Sequence, residues 1–372
     1  MARGPVILGA GVGLAAGVVV LALVAPRPAP REPATGPVLS DCGGPIRELV
    51  IQYVPRAAPI VAPVYRDFLG KLPAAVTVHV VCPDRAAWAD LRRRVGPVAC
   101  TLSPVCVGHA MSAWSRDRWL ALSPADEGRP VTLLRPRGEA GATAWPARAG
   151  DARIAGDLAA ALGHDVRARR SRLYFDGGDV VADGRRAFVT PRVARRNVQR
   201  TVASRAELLR ALRDHLKRDV VLLAEAPDHH AGMFMMPVGD GTVLVGSPAL
   251  AARTIEPNDL LPACGADFTD ATQRRFDAVA AQCAAAGCRV IRVPVVPGRD
   301  GRGYLTCLNA ILDRRAGRRI VYMPVYRGAD ALNAAAAEVW QGLGYDVQPV
   351  DCTSAYAHFG SLRCLVNVLR RG

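Results

Sequence analysis

Short apolar runs alternate with amphipathic stretches over most of the chain after residue 45. Two of these runs flank the Asp240-Gly241 pair, and Asp-Gly between apolar runs predicts a β-hairpin. A helical stretch and one more apolar run come next. The pattern therefore predicts a unit of two hairpin strands, a helix and a third strand, which here covers 233–238, 242–245, about 270–286 and 289–295.

The same order of elements returns on either side of this unit. Downstream, a hairpin turns at Ala316-Gly317, and a helix over about 329–343 leads to a strand over 346–350. Upstream, a hairpin turns at Asp183-Gly184, and a helix near 200–217 follows. Copies of one ββαβ unit at intervals of about 55 to 75 residues predict an α/β repeat fold, either stacked in a line or closed into a ring.

Residues that can carry chemistry stand near the start of several of these units. They are Asp176, His230, Tyr304 and Cys364, the last at the opening of an apolar run over 362–369 that we interpret as a final strand. If the units surround an axis of pseudosymmetry, these side chains meet in one central cleft. The repeat therefore predicts where a site would lie.

The beginning of the chain has a different composition. Residues 5–25 carry no charge, and about 21 such residues are enough to cross a bilayer as a helix. Residues 26–37 are rich in proline, which indicates an extended linker. We expect a transmembrane anchor over 1–25, a linker over 26–44 and a folded domain over 45–372, with a cleavable signal peptide as the alternative. Either one predicts a membrane-anchored or exported protein whose folded domain lies outside the cytoplasm.

The formal net charge of +15 raises the question of nucleic-acid binding. Only Lys71 and Lys217 are lysines, and the arginines are scattered along the chain without interleaved aromatic residues or a known binding module. This distribution is typical of an Arg-rich solvated surface. We therefore predict no specific nucleic-acid partner.

Ten cysteines bear on the redox state of the protein. Cys100 and Cys106, and likewise Cys283 and Cys288, are close enough in sequence to form disulfides, and export would favour their oxidation. Buried free thiols are the alternative. No CxxC pair or compact Cys/His cluster occurs, so we predict no metal site.

Cys364, His230, Asp117 and Asp176 together have the parts of a site for thiol chemistry. A cysteine nucleophile needs a neighbouring base or positive field to populate its thiolate. A histidine can supply that base and then transfer protons. Carboxylates can hold a cationic substrate through charge-assisted hydrogen bonds.

Five short motifs then resemble those of a known superfamily. Their order and spacing, over roughly 45–372, are similar to those of agmatine deiminases and bacterial peptidylarginine deiminases, members of the guanidine-modifying (pentein) superfamily. The similar segments are Trp114-Ser115-Arg116-Asp117 (W-x-R-D), Phe175-Asp176-Gly177-Gly178-Asp179 (E-G-G-[NS]), His230-Ala231-Gly232-Met233-Phe234 (H-V-D-x-F), Gly303-Tyr304-Leu305-Thr306 (S-Y-x-N or P-Y-x-N) and Gly360-Ser361-Leu362-Arg363-Cys364-Leu365 (G-G-[IL]-H-C-[IL]).

The resemblance implies a fold and a reaction. The fold is a five-fold pseudosymmetric α/β propeller, with 45–372 as the catalytic domain. The reaction is hydrolysis of a small-molecule or peptidyl guanidine by a deiminase, without metal or cofactor, giving a ureido product and ammonia. Its implied catalytic residues are Cys364, His230 and Asp176, and its implied substrate-binding residues are Trp114, Asp117, Asp228 and Thr306.

Four positions depart from the motifs. Gly232 stands where the superfamily has Asp, Asp176 where it has Glu, Thr306 where it has Asn, and Arg363 where it has His. Because Gly232 removes one carboxylate clamp, we expect Gly232→Asp to raise activity toward simple guanidines. The departures also keep two alternatives open: an amidinotransferase or dihydrolase of the same superfamily, and a non-enzymatic membrane-anchored binding protein with an impaired pocket.

Overall fold

The computed structural model describes Met1 and residues 34–138 and 148–372. In this part of the chain the strands are β1 (Ile46–Gln52), β2 (Thr77–Cys82), β3 (Thr101–Cys106), β4 (Leu120–Leu122), β5 (Val131–Arg135), β6 (Val166–Arg170), β7 (Val180–Ala182), β8 (Arg186–Val189), β9 (Asp219–Leu222), β10 (Met235–Gly239), β11 (Thr242–Ser247), β12 (Arg289–Pro297), β13 (Tyr304–Thr306), β14 (Ile311–Arg315), β15 (Arg318–Val325), β16 (Tyr345–Asp351) and β17 (Val366–Arg371). The α-helices are α1 (Ala58–Gly70), α2 (Arg85–Val95), α3 (Ile154–Leu162), α4 (Pro191–Asn197), α5 (Arg205–Leu216), α6 (Pro248–Thr254), α7 (Asp270–Ala285), α8 (Asp330–Gly342), α9 (Thr353–Tyr356) and α10 (Leu362–Leu365).

Five sheets of the described chain share one pattern, in which an antiparallel pair of strands is followed by a parallel third strand. The five sets are β4-β5-β6, β7-β8-β9, β10-β11-β12, β14-β15-β16 and β17-β1-β2. In each set, one or two helices lie between the second and third strands. The predicted ββαβ unit is therefore present, and one copy joins the two ends of the domain by pairing β17 with β1.

The predicted hairpins occur where the sequence placed them. β10 and β11 turn at Asp240-Gly241 and β14 and β15 turn at Ala316-Gly317, with positive φ at both residues of each pair. Two consecutive positive φ angles match the twist of the flanking strands, and glycine adopts them at little cost. The run over 362–369 differs from its prediction, because α10 takes its first four residues and β17 begins only at Val366.

The helices pack their apolar faces against the sheets. Trp340 of α8, for example, is fully buried and meets the ring of Tyr345 edge-on at 5.1 Å between centroids. Capping side chains fix where several helices begin. Ser204 accepts a hydrogen bond from the Glu207 amide at the start of α5, and Asp84 accepts one from the Ala87 amide at the start of α2.

The folded unit begins at Thr35 instead of residue 45. Gly36 and Val38 donate backbone hydrogen bonds of 3.0 Å and 2.8 Å to the Ser123 and Leu216 carbonyls. These bonds attach the end of the predicted linker to the sheets. The predicted anchor over 5–25 lies outside the described residues, and none of the described helices is long and apolar enough to cross a membrane.

All ten cysteines are free thiols, so neither predicted disulfide is formed. Cys100 is buried with its sulfur 3.8 Å from the Leu69 carbonyl oxygen, whereas Cys106 is exposed. The Cys106 sulfur lies 3.9 Å from that of Cys82, its register partner on the adjacent strand. The strand pairing therefore aligns Cys106 with a cysteine distant in sequence instead of with Cys100.

Candidate active site

Six of the seven predicted site residues line one cleft of about 570 Å³. They are Trp114, Asp117, Asp176, Asp228, His230 and Cys364. Four of them stand shortly before the first strand of a unit, before β4, β7, β10 and β17. Because these first strands are equivalent in the repeat, residues far apart in sequence reach the same cleft.

Cys364 lies in α10 and is only 5% exposed. Its amide and its thiol both point at the side-chain oxygen of Asn309, at 3.2 Å and 3.5 Å. The Asn309 carbonyl also accepts the Arg363 amide at 3.0 Å. Asn309 precedes β14, the first strand of the remaining unit, so each of the five units places one residue either in the lining of the cleft or in contact with Cys364. The sequence analysis did not select Asn309. The signal that could have found it is its position just before the first strand of a unit, which it shares with Asp117, Asp176, His230 and Cys364.

His230 is the proton-transfer group that the geometry supplies. Its Nε2 is 3.6 Å from an Asp176 oxygen, and its Nδ1 is 3.9 Å from an Asp117 oxygen. Burial alone would lower the pKa of His230, but hydrogen bonds with Asp176 and Cys364 and the charges of Asp117 and Asp179 raise this pKa to about 10. The imidazole is therefore protonated at neutral pH.

Asp176 is the carboxylate that keeps His230 charged. Arg196 Nη1 and Arg118 Nη1 lie 3.1 Å and 3.2 Å from its two oxygens. Burial alone would raise the pKa of Asp176, but the hydrogen bond with His230 and these guanidinium groups hold it well below its ordinary value. The Asp176 amide donates to the Asp179 side chain at 2.9 Å, which fixes the turn before β7.

The glycines of the motifs permit close approach between motifs. A Cβ on Gly178 would lie 2.5 Å from the His230 ring, and one on Gly360 would lie 2.3 Å from the Trp114 ring. A Cβ on Gly177 would lie 2.2 Å from the Arg116 carbonyl oxygen. Since real Cβ atoms do not approach so closely, only glycine fits these three positions. They explain why the motifs carry glycine there.

The two carboxylates predicted to hold substrate already face arginines of this chain. Asp117 forms an ion pair with Arg148. Asp228, which is 68% exposed at the mouth of the cleft, forms one with Arg195. The sequence did not predict these pairings, because no spacing or periodicity connects the partners. A guanidinium ligand at Asp117 has to displace the Arg148 side chain or share the carboxylate with it.

His229, which the sequence analysis did not select, positions His230. Its Nδ1 accepts the His230 amide at 2.8 Å, and its ring meets Tyr304 edge-on at 5.4 Å. Burial, the positive charge of His230 and that of Arg192 lower the pKa of His229 to about 3. His229 is therefore neutral and serves as a rigid acceptor.

Thr306 is not brought to the cleft. Its hydroxyl accepts the Leu308 amide at 3.2 Å, and its carbonyl accepts the Tyr326 hydroxyl at 3.0 Å, both in the interior. The motif resemblance predicted a polar substrate-binding side chain at Thr306. The amide side chain that contacts the nucleophile instead belongs to a residue three positions later in the chain. That side chain is Asn309.

Gly232 and Arg363, two of the departures from the motifs, are neighbours. A Cβ on Gly232 would lie 3.2 Å from Arg363 Nη1 and 3.1 Å from the Asn309 amide nitrogen. The Arg363 guanidinium is itself held by Asp41, with Nη2 2.8 Å from its carboxylate. Arg363 therefore occupies the space into which a side chain at position 232 would grow.

Comparison with known proteins finds similarity in fold but not in sequence families. No protein-family model and no curated protein matches this chain. Solved structures do match. C. jejuni agmatine deiminase is 12% identical with a TM-score of 0.64, covering 89% of this chain and 95% of that chain. The E. faecalis agmatine deiminase is 14% identical with a TM-score of 0.67, covering 89% and 94%. The chain therefore has the fold of the agmatine deiminases, and its predicted resemblance to the guanidine-modifying superfamily is confirmed at the level of the fold.

Proposed function

We propose that this protein is a thiol-dependent hydrolase that converts the guanidinium group of an arginine-like compound into a ureido group and ammonia. One observation carries the proposal: a cysteine, a histidine and three carboxylates line the same cleft. A guanidinium group suits this set, because carboxylates pair with its planar N–H groups and the thiol attacks its carbon. The substrate-bound C. jejuni agmatine deiminase shares the fold.

The first half of the proposed reaction uses His230 as an acid. The Cys364 thiolate forms a bond to the guanidinium carbon, and the opposite charges cancel in a tetrahedral adduct. The imidazolium of His230 then gives its proton to the departing nitrogen as the C–N bond breaks, which releases ammonia. A cationic amidino thioether remains on Cys364, beside a neutral His230.

The second half uses the neutral His230 as a base. It takes a proton from a water molecule, whose oxygen bonds to the thioether carbon. The second adduct collapses as its C–S bond breaks and its hydroxyl proton passes to solvent water or to the released ammonia, which frees the neutral ureido product and restores the thiolate. Asp176 stabilises the imidazolium at the start and at the end of the cycle, and Asp117 holds the guanidinium once Arg148 has moved aside.

A direct assay tests the proposal. Agmatine, free arginine and an arginine-containing peptide are each incubated with the protein, and ammonia and the ureido product are measured. The proposed reaction produces them in equal amounts. We expect turnover of at least one substrate, and its loss in Cys364→Ser, because a hydroxyl is far less ionised than a thiol at neutral pH. Cys307→Ser, which changes a buried thiol that does not line the cleft, is the matched control.

A second candidate function is binding without turnover. It is favoured by one observation, namely that Asp117, Asp176 and Asp228 all face arginines of this chain. Calorimetry of the Cys364→Ser variant with the same compounds separates the two candidates. Binding to this variant, together with the absence of ureido product in the natural protein, would favour the binding role. The binding role also requires that the natural protein show no amidinotransferase or dihydrolase activity.

We further propose that the five units surround a five-fold pseudosymmetry axis. The support is that each unit sends a residue from just before its first strand toward Cys364: Asp117, Asp176, His230, Asn309 and Cys364 itself. A linear stack would separate the first and last units. An experimental structure in which the five first strands do not surround the cleft would refute this arrangement.

A further inference from the structure

A second cavity, of about 250 Å³, lies apart from the cysteine, and five of its eight lining residues are arginines. Its lining residues are Arg118, Arg135, Pro136, Arg137, Gly138, Ala152, Arg153 and Arg170. No described aspartate or glutamate belongs to this lining. Arg118 is paired with Asp176, but the four other arginines around this small cavity repel one another unless an anion lies between them.

The strand register explains why the arginines converge. Arg135 ends β5 and Arg170 ends β6, and the two are direct partners in the parallel pair. Like charges placed directly opposite each other destabilise a sheet. Arg118 is only 4% exposed, whereas Arg137, Arg153 and Arg170 are exposed.

Arg118 is paired with Asp176 and lies 4.0 Å from Asp151, but the charges of the other four arginines are not neutralised within the described chain. Arg135, Arg137, Arg153 and Arg170 form no ion pair with any described carboxylate, in contrast to the many arginines elsewhere that do. The Nε of Arg135 is moreover buried without a hydrogen-bond partner. A buried N–H donor without a partner is costly. Arg170 already donates Nε and Nη2 to the Arg137 carbonyl. The cavity nevertheless has uncompensated charge and, in Arg135, an unpartnered donor that an added anion would satisfy.

We propose that this cavity, here called the arginine pocket, binds a small phosphate-bearing anion with two or more negative charges. The planar fork of arginine pairs with two phosphate oxygens at once, and several arginines together suit a pyrophosphate group better than a single chloride. A cavity of about 250 Å³ is too small to enclose a large ligand completely. The anion is a free small molecule, since the arginines surround a cavity instead of following an extended groove.

The arginine pocket is connected to the candidate active site by one side chain. Arg118 lines the pocket and also donates to Asp176 at 3.2 Å. An anion in the pocket therefore shares Arg118 with the carboxylate that keeps His230 protonated. Binding in the arginine pocket does not require the proposed hydrolase activity, and its test uses no activity measurement.

The test is titration calorimetry of the full chain with inorganic pyrophosphate at constant ionic strength. We expect one saturable site, a rise in melting temperature with pyrophosphate, and affinity at least tenfold weaker in Arg135→Gln and in Arg170→Gln. Arg170 is exposed, so its variant should fold even if Arg135→Gln does not. Arg253→Gln removes the same charge from an exposed position in α6 and should bind like the natural protein.

Three results would each overturn the proposal. They are the absence of saturable binding up to millimolar pyrophosphate, equal weakening in Arg253→Gln and Arg170→Gln, and a melting-temperature rise that sodium chloride of the same ionic strength reproduces. The second of these would mean that only overall charge attracts the anion. A fourth result would overturn the proposal as well: pyrophosphate binding that competes with an oligonucleotide for the same arginines, which would point to a nucleic-acid surface.

Discussion

At the scale of single residues, Asn309 is the contact that most directly positions the nucleophile. Its side-chain oxygen faces both the amide and the thiol of Cys364. We expect Asn309→Ala to lower kcat by about 10- to 100-fold, with a smaller change in KM, because a positioning contact is lost while the substrate carboxylates stay. Steady-state kinetics measure both constants. Asn258→Ala, at an exposed position, should change neither, and an unaltered kcat in Asn309→Ala would remove Asn309 from the site.

The pair Gly232 and Arg363 changes one expectation drawn from the sequence. Gly232→Asp alone would direct its carboxylate at Arg363 and Asn309, so we no longer expect it to raise activity. Gly232→Asp combined with Arg363→His clears that space and should raise kcat/KM for agmatine at least tenfold over the single variant. The double variant should also be less stable, by about 3 kcal/mol, because Asp41 loses the buried Arg363.

Kinetics and denaturant unfolding of the natural protein, both single variants and the double variant measure this coupling. Activity in the double variant equal to the product of the single effects would mean that positions 232 and 363 act independently. A gain from Gly232→Asp alone would restore the expectation from the sequence.

His230 makes the stability of the fold depend on pH. Its folded pKa of about 10 lies above the ordinary value of 6.5. A raised pKa means that the folded state binds the proton more tightly, so this stabilisation is complete below pH 6.5 and is lost as pH rises through 10. We expect the free energy of unfolding to fall from pH 6.5 to 10 more steeply in the natural protein than in His230→Gln. Urea unfolding at three pH values measures it, and parallel curves would show that the pKa of His230 is not raised.

At the scale of elements, the motif glycines join neighbouring units. Gly178 lies in the short turn before β7, and a Cβ added to it would lie 2.5 Å from the ring of His230, which precedes β10. We expect Gly178→Ala to displace His230 and lower activity at least 100-fold, because the added methyl group has no space. Gly184→Ala is the matched control, since it lies in the turn of the same unit with open space around it. Activity and melting temperature are measured for both, and equal activities would contradict the packing argument.

The strand pattern was accessible to sequence reading because hairpins are local. Asp240-Gly241 and Asp183-Gly184 mark turns between apolar runs, and β10, β11, β7 and β8 occur there. α4 was not predicted, because its seven residues carry three arginines and few apolar side chains. The pairing of β17 with β1 was likewise inaccessible, since it joins residues from opposite ends of the chain.

At the scale of the whole molecule, we propose that residues 5–25 hold the protein at a membrane. The full chain should sediment with membranes and resist carbonate extraction, whereas a chain that begins at Ala34 should remain in solution. A chain that begins at Ser40 lacks the bonds of Gly36 and Val38 and should be less stable than the Ala34 chain by about 1 to 3 kcal/mol.

Sedimentation, mass spectrometry of the mature N-terminus and denaturant unfolding test these statements. A mature N-terminus within the Pro-rich segment would replace the anchor with a signal peptide. Equal stability of the Ala34 and Ser40 chains would show that the segment before Ser40 contributes nothing to the domain.

The sequence alone determined the repeat and the hairpins, because each depends on local order: a turn pair or an apolar run. Asp176, His230 and Cys364 follow from their places just before a predicted strand, whereas Trp114 and Asp228 were implied by the resemblance of the motifs to a known family. Tertiary structure alone decided which groups meet. Asn309 reaches Cys364 across 55 positions, and Arg363 reaches Asp41 across 322. Arg148 lies against Asp117, and the thiols stay unbridged, for the same reason. Such contacts depend on how the units pack, and no periodicity along the chain records that packing.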